Sequence, residues 1–175
     1  MTKSLIETSE GIFTAWFSEG GLAKLDFPVF RGPQPPSTTP ETRDWNPNAK
    51  PWVSAAREAI ETTLAGKTPK LLPPFDLSSG TEFQREVWSA LKKIPTGKTM
   101  TYGQLATLIG RPKAVRAVGQ ACGANPIPVL IPCHRVLAAN GGLGGFSAGL
   151  VWKRKLLEKE QVTTSAHGRV GCGTK

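Results

Sequence analysis

The sequence predicts an α+β protein, in which a small N-terminal α/β domain with antiparallel strands precedes a mostly helical C-terminal domain. Apolar and polar residues alternate loosely around a glycine turn near the N-terminus, as in a β-hairpin. Segments with helical spacing in the second half begin with capping patterns. With 175 residues, 39% of them hydrophobic, the chain can bury a proper core. The predicted boundaries are 1–75, 76–161 and a flexible polar tail over 162–175.

The N-terminal domain contains one predicted hairpin and one predicted helix. In GIFTAWFSEGGLAKLDF, two short strands flank the turn Glu19-Gly20-Gly21. The stretch RGPQPPSTTPETRDWNPNAKP has no period and predicts an irregular connection. WVSAAREAIETTLAG then has helical spacing. Its apolar face and its stop are Val53, Ala56, Ile60, Leu64 and Gly66.

The C-terminal domain is punctuated by two capping boxes, Thr81 with Gln84 and Thr101 with Gln104. The helix after the first box has an apolar face made of Phe83, Val87, Leu91 and Ile94. After the second box, TYGQLATLIGRPKAVRAVGQACG predicts a helix, a tight turn and a second helix. This is the outline of a helix-turn-helix.

The second helix of this pair is predicted to begin at Pro112, because proline suits a first helical turn. Val115, Val118 and Cys122 share one face and are predicted to pack. The opposite face carries Lys113, Arg116, Ala117, Gly119 and Gln120. A cationic face with small residues lets the backbone approach a DNA groove. The alternative is a solvated helix face.

Charge is segregated along the chain. Residues 1–90 hold nine Lys/Arg and eleven Asp/Glu, a net charge of −2, whereas residues 91–175 hold thirteen and two, a net charge of +11. A strongly basic half indicates a polyanionic partner, nucleic acid first, and a merely soluble basic protein is the alternative. The sequence shows no membrane-length apolar stretch, no signal peptide and only three cysteines. We therefore expect no membrane contact and a cytoplasmic protein, nucleoid-associated in a bacterium or archaeon and nuclear in a eukaryote.

The stretch IPCHR places Cys133 beside His134, after an apolar run where a strand is predicted to give way to a turn. A free cysteine is commonly a small buried hydrophobe, and an unperturbed thiol needs a base before it acts as a nucleophile. His134 is a candidate base, acting through a bridging water, and requires an acceptor that orients it. Glu160 borders the inward face of the last helix and is the candidate acceptor. The alternative for Glu160 is a pair with Lys153 or another surface lysine.

Three further features bear on chemistry. The chain's cysteines and histidines form no recognised ligand pattern, so we expect no metal and no cofactor. The glycine-rich stretch AANGGLGGFSAG, residues 138–149, lacks the ending of a P-loop and is interpreted as a pocket wall. Tyr102 opens the helix-turn-helix, where its phenol can reach a phosphate or an active-site atom; plain packing is the alternative.

Together, PCHRV after GANPIPVLI, TYGQLA ahead of AVRAVGQA, and GGLGGFSAGL ahead of KRKLLEKE resemble the O6-alkylguanine-DNA alkyltransferases, collinearly over about residues 81–160. The resemblance implies a ribonuclease H-like N-terminal domain and a winged-helix-like helix-turn-helix. It implies a monomer that binds duplex DNA, flips an alkylated guanine out of the stack and moves the alkyl group irreversibly to its own cysteine. O4-alkylthymine is an implied minor substrate.

The same resemblance assigns catalytic roles to five residues. Cys133 matches the alkyl acceptor, His134 the base that acts through water, and Glu160 the carboxylate that orients this base. Tyr102 matches the phenol that donates to the guanine ring. Asn125 matches the asparagine that braces the turn before the active-site cysteine.

The resemblance also implies DNA-binding and pocket residues. Arg116 matches the arginine that enters the base stack from the minor groove. The implied DNA-binding set is Tyr102, Gly103, Arg111, Arg116, Ala117, Gln120 and Ala139. The implied substrate pocket is Val136, Gly144, Phe146 and Ser147. Phe146 stands where many members carry tyrosine, which affects substrate preference.

Three other functions fit parts of the sequence. A non-catalytic alkyl-lesion-binding protein typically has tryptophan in place of the cysteine, and Cys133 argues against it. A helix-turn-helix regulator leaves Asn125, Tyr102 and Glu160 without a role, and no dimerisation element is recognisable. A cysteine hydrolase needs an oxyanion-hole motif, and none is recognisable.

Overall fold

The computed structural model describes residues 1–28 and 49–163. Over these residues the chain forms a three-stranded antiparallel sheet, five α-helices, one 3₁₀ helix and a two-stranded parallel sheet, so the predicted α+β class is confirmed. Most of the predicted irregular connection, and the chain beyond residue 163, lie outside the described residues. None of the described helices combines the length and the apolar character that a membrane span requires.

The N-terminal sheet has the order β1-β2-β3, with β1 at Thr2–Thr8, β2 at Gly11–Ser18 and β3 at Gly21–Asp26. The predicted hairpin is β2-β3, and it is confirmed. The additional strand β1 pairs antiparallel with β2. Its inward positions include the polar residues Thr2 and Ser4, both buried, which hides the alternation in the sequence.

Helix α1, Ala49–Leu64, packs against β1 and β3. Its predicted face is confirmed, because Ala56, Ile60 and Leu64 are buried. The helix starts three residues earlier than predicted from the WVSAAREAIETTLAG pattern. Pro51 is compatible with this start, because the first-turn N–H that proline lacks has no partner within a helix.

The C-terminal helices are α2 at Glu82–Leu91, α3 at Tyr102–Leu108, α4 at Val115–Gly123 and α5 at Leu150–Lys159. Both predicted capping boxes are formed at α2 and α3. Helices α3 and α4 pack against each other across a short turn, as the helix-turn-helix pattern predicts, and α4 also packs on α2. Ile94 is buried as predicted, although α2 ends before it.

The prediction that α4 begins at Pro112 is wrong. Pro112 is the second residue of a turn closed by a hydrogen bond from Ala114 N to Arg111 O at 2.9 Å, a position that proline's fixed φ favours. Lys113 therefore lies in the turn and not on the helix. Val115, predicted to pack, is 40% exposed in the first turn of α4.

A short parallel strand pairing lies next to Cys133. Strand β4, Met100–Thr101, pairs with β5, Val136–Leu137. The predicted strand before Cys133 is wrong: residues 126–131 form bends and turns, Cys133–Arg135 is a 3₁₀ helix, and the strand follows it. Because α3 starts directly after β4, the pairing brings the start of α3 close to this 3₁₀ helix.

The core is continuous between the two parts of the chain. Phe13 and Phe27 of the N-terminal part make ring contacts with Trp152 on α5. Val162, predicted to belong to the flexible tail, packs instead in a small buried cluster with Leu137 and Leu157. The packed structure therefore extends one residue past the predicted boundary.

Candidate active site

Cys133 is buried at the start of the 3₁₀ helix and is held by Asn125. The Asn125 side-chain amide donates to Cys133 Sγ at 3.1 Å and to the Ile131 carbonyl at 2.8 Å, and its Oδ1 accepts from Ile127 N at 3.0 Å. Within this turn Val129 has φ +75°, which a β-branched residue adopts only under strain. The three bonds of Asn125 therefore hold a strained turn that sets the position of the sulfur.

His134 and Glu160 form the second part of the site, at the end of α5. Both are buried, and His134 Nε2 lies 3.0 Å from Glu160 Oε1. Glu160 also accepts from both Arg135 Nε and Arg135 Nη2, and from Gly97 N at 3.0 Å. Burial alone would raise the pKa of Glu160, but the bonds from His134 and Arg135 outweigh it and lower the pKa to about 2.

The hydrogen bond to Glu160 fixes the tautomer of His134. An ionised carboxylate only accepts, so Nε2 carries the proton and donates it. Burial lowers the pKa of His134, so the ring is neutral and Nδ1 has a free lone pair. Nδ1 is buried and has no hydrogen-bond partner among the described residues. This nitrogen is therefore able to accept a proton.

The other titratable groups at the site hold their protons at neutral pH. Burial raises the pKa of Cys133, against the lowering effect of the bond from Asn125, so the resting group is a thiol. Burial also raises the pKa of Tyr102 to about 12, which keeps the phenol a donor. A thiol beside a neutral imidazole is the starting state for general-base activation.

Cys133 and Tyr102 face a cavity of about 460 Å³ between α4, the start of α3 and the glycine-rich loop. Its lining residues are Tyr102, Arg116, Gly119, Gln120, Cys122, Gly123, Cys133, Gly145 and Phe146. The Tyr102 ring passes close to Gly144, where an added Cβ would lie 3.1 Å from the phenol oxygen. A side chain at position 144 would press on the Tyr102 ring, and the φ of +66° there also favours glycine. Of the glycine-rich loop interpreted as a pocket wall, Gly145 and Phe146 line this cavity.

The other predicted pocket residues are not part of the cavity lining. Among the described residues, Val136, Gly144 and Ser147 do not line this cavity. Val136 is buried, and Ser147 lines a second cavity of about 580 Å³ beside the N-terminal sheet. Their assignment to guanine recognition stays a prediction.

Sequence reasoning missed two buried cations. Arg135, to which the sequence assigned no role, is buried, and its other bonds go to Ile94 O at 2.6 Å and Thr96 Oγ1 at 3.1 Å. Lys153, named as a possible surface partner for Glu160, is fully buried and donates to Val136 O at 2.6 Å. Burial lowers the pKa of Lys153 to about 8. A signal was available for Lys153, because it lies three and four residues before the apolar pair Leu156 and Leu157.

The predicted DNA-binding residues lie around the mouth of the cavity or on exposed loops. Arg116 and Gln120 are exposed on α4 and line the cavity, while Gly103 and Ala117 are partly exposed. Ala139 is exposed on the glycine-rich loop. Arg111 is exposed but engaged, because its Nε donates to Glu86 at 3.0 Å. The structure thus brings Arg116, Gln120 and Tyr102 together with Cys133.

Over residues 1–28 and 49–163, no group of three or more His, Cys, Asp or Glu is arranged to hold a metal ion. Cys122 and Cys133 are both unpaired thiols. Cys172 and His167, part of the same metal prediction, lie outside the described residues.

Comparisons with known proteins agree with this geometry. Residues 82–162 match the family model described as 6-O-methylguanine DNA methyltransferase, DNA binding domain. The methylated-DNA–protein-cysteine methyltransferase of Methanosarcina barkeri is 41% identical over 164 residues, which cover 92% of this chain and 98% of that relative. The corresponding protein of Mycobacterium tuberculosis is 43% identical over 122 residues, 70% of this chain and 73% of the relative.

Solved structures extend the similarity to the fold. The crystal structure of Mycobacterium tuberculosis OGT in complex with DNA superposes with a TM-score of 0.70 at 35% identity, and the match covers 91% of this chain and 92% of that one. The O6-methylguanine-DNA methyltransferase of Pyrococcus kodakaraensis gives a TM-score of 0.65 at 25% identity, over 93% of this chain and all of that one. The chain therefore belongs to the methylated-DNA–protein-cysteine methyltransferase family.

Proposed function

We propose that this protein repairs DNA by moving the alkyl group from O6 of guanine to Sγ of its own Cys133, once per molecule. The observation that carries the proposal is the proton arrangement around Cys133. Cys133 is a thiol, and His134 is neutral with a buried, unprotonated Nδ1. Glu160 is ionised and bonded to Nε2 of His134. This order suits transfer of the thiol proton to His134.

The proposed step balances as a single displacement. The Cys133 proton passes through a water to His134 Nδ1, and the resulting imidazolium is stabilised by ionised Glu160. The sulfur attacks the alkyl carbon, a new S–C bond forms, and the C–O6 bond breaks with its electron pair going to the base. Tyr102 donates a proton to the guanine ring as negative charge develops there; the phenolate then takes up a proton from solvent, and the imidazolium of His134 releases one to it. The S–C bond is a stable thioether, so the protein acts once.

DNA recognition in this proposal uses the exposed face of α4. Arg116 fills the gap left by the flipped nucleotide, entering from the minor groove, and small Ala117 lets the helix approach. The position of Arg116 at the mouth of the cavity supports this role. Gly103, Arg111, Gln120 and Ala139 are proposed as further DNA contacts. We also propose that the protein acts as a monomer, that its two parts are ribonuclease H-like and winged-helix-like, and that O4-alkylthymine is a minor substrate.

Intact-protein mass spectrometry tests the proposal, with a duplex that carries one O6-methylguanine. We expect a gain of one methyl group that saturates at one per protein and maps to Cys133. Cys133→Ala should show no gain and should still bind the duplex.

Cys122→Ala is the matched control, because Cys122 is the other buried thiol that lines the cavity. We expect it to be methylated like the wild-type protein. Methylation of Cys122 in the wild-type protein would refute the role of Cys133. Tight binding of the lesion with no mass gain would indicate a non-catalytic lesion-binding protein.

A further inference from the structure

The end of helix α1, in the N-terminal part, touches the backbone beside Glu160. Gly66 follows α1 with φ +72°, in the left-handed conformation that closes a helix. A Cβ at this position would lie 1.9 Å from the Lys159 carbonyl oxygen and 3.2 Å from Glu160 N. No side chain fits there unless the end of α5 moves. Gly66 thus sets how closely α1 approaches the residue that orients His134.

Two other contacts hold the same end of α5. From the C-terminal side, Gly97 donates its N–H to Glu160 Oε2, and a Cβ on Gly97 would lie 3.2 Å from the Glu160 carbonyl oxygen. From the N-terminal sheet, Glu10 in the β1-β2 turn pairs with Lys155 and, at 3.7 Å, with Lys159. The Glu160 backbone is therefore held between the two parts of the molecule.

We infer that Gly66 is a positioning residue for alkyl transfer: through its close approach to Lys159, the N-terminal part sets the position of the Glu160 carboxylate. The inference rests on the proposed role of Glu160 in orienting His134. The carboxylate has little freedom to compensate for a shift, because one oxygen binds His134 and the other binds Gly97. A displacement of the α5 end by about 1 Å is enough to reduce a catalytic rate between 10- and 100-fold.

The test compares Gly66→Asn with Gly110→Asn. Both glycines follow a helix with nearly the same φ, +72° and +71°, but a Cβ on Gly110 meets nothing within 4 Å. Asparagine tolerates this conformation, so the two variants differ mainly in the clash with Lys159. The rate of methyl transfer is measured within the complex, at saturating duplex, which removes any change in DNA affinity. We expect Gly66→Asn to be between about 10- and 100-fold slower and Gly110→Asn to match the wild-type rate.

A double-mutant cycle with Glu160→Gln separates positioning from general loss of structure. If Gly66 acts through Glu160, Gly66→Asn adds little further slowing once Glu160 is replaced. Equal slowing in both backgrounds would overturn the inference, and so would a wild-type rate for Gly66→Asn when Glu160→Gln is slow. If Glu160→Gln itself transfers at the wild-type rate, the proposed role of Glu160 fails and the inference fails with it.

A second variant covers the case in which Gly66→Asn does not fold. Glu10→Gln removes the ion pairs to Lys155 and Lys159 without adding an atom to the interface. We expect a slowing of a few-fold that again disappears in the Glu160→Gln background. Additive effects would refute the link between the N-terminal part and Glu160.

Discussion

The candidate site has two unlike sides, an inner wall and an outer wall, and their difference separates chemistry from recognition. The inner wall consists of Cys133, which lines the cavity, and of His134, Lys153 and Glu160, which do not; all four are buried, and each takes part in a hydrogen bond within the protein. On the outer wall the helix-turn-helix presents exposed side chains, Arg116 among them. Buried side chains held by hydrogen bonds are arranged before the substrate arrives, whereas exposed side chains take their final positions on DNA.

The largest expected effect comes from replacing one carboxylate oxygen of Glu160, on the inner wall, with an amide nitrogen. Glu160→Gln replaces the acceptor of the His134 N–H with a neutral group of the same shape, so the imidazolium loses its stabilising charge. We expect transfer within the complex to slow by about 10²-fold or more, the range for general-base catalysis, with DNA affinity unchanged. Single-turnover rates and a binding titration measure the two quantities.

Glu158→Gln is the control for this change, because Glu158 is exposed on the same helix two residues earlier. It should transfer at the wild-type rate. Equal slowing of the two variants would mean that the negative charge of α5 matters and the bond to His134 does not.

The ionisation of Glu160 on the inner wall also determines how the free energy of unfolding depends on pH. The pKa of Glu160 is lowered to about 2 from 4.5, so its contribution is fully present above pH 4.5 and is lost as the pH falls towards 2. The shift corresponds to roughly 3 kcal/mol of unfolding free energy. Urea unfolding of wild-type protein and Glu160→Gln at pH 7, 4 and 3 should give curves that converge on acidification. A constant difference over this range would show that ionised Glu160 does not stabilise the fold.

A smaller effect is expected from the outer wall. Arg116→Ala removes the side chain proposed to replace the flipped base, and unstacking a base costs a few kcal/mol. We expect the rate of transfer from duplex DNA to fall about 10-fold, because Arg116 offsets only part of that cost. The rate of transfer from the free O6-alkylguanine base should stay unchanged. The ratio of the two rates is the measurement.

Arg57→Ala, an exposed arginine on α1, is the control for Arg116→Ala. It should leave both rates unchanged. Equal loss on duplex and free base would place the effect of Arg116 in the chemistry and remove the contrast between the walls.

Some features around the two walls could be predicted from the sequence, and others could not. Capping boxes are local patterns, so the starts of α2 and α3 were predicted correctly. The burial of Arg135 depends on partners 25 to 41 residues away in the chain, which no local pattern reveals, whereas the spacing of Lys153 ahead of Leu156 and Leu157 was a local signal. The start of α4 was misplaced for a different, local reason: proline suits both a helix start and a turn, and the bond from Ala114 N to Arg111 O decides between them.

Site residues were easier to predict than their environment. The resemblance to a family named Cys133, His134, Glu160 and Asn125, and the structure brings these four together through two bonded pairs. That Glu160 is held by Gly66 and Gly97 follows only from the packing of α1 and of the turn after α2 on the end of α5. Glycines in the sequence gave no hint of this, because many of them merely end helices.

The smallest expected effect concerns the charge of the outer wall alone. Lys113 is exposed in the turn before α4, and among the described residues it forms no ion pair. A lysine that contacts phosphate releases about one counterion, so Lys113→Ala should reduce the slope of log affinity against log salt by about 0.9. Transfer at saturating DNA should not change, because no atom of the inner wall is altered. Lys70→Ala, exposed in the N-terminal part, should leave the slope unchanged. If both lysines lower the slope equally, DNA is held by overall charge and the turn before α4 has no special place in the interface.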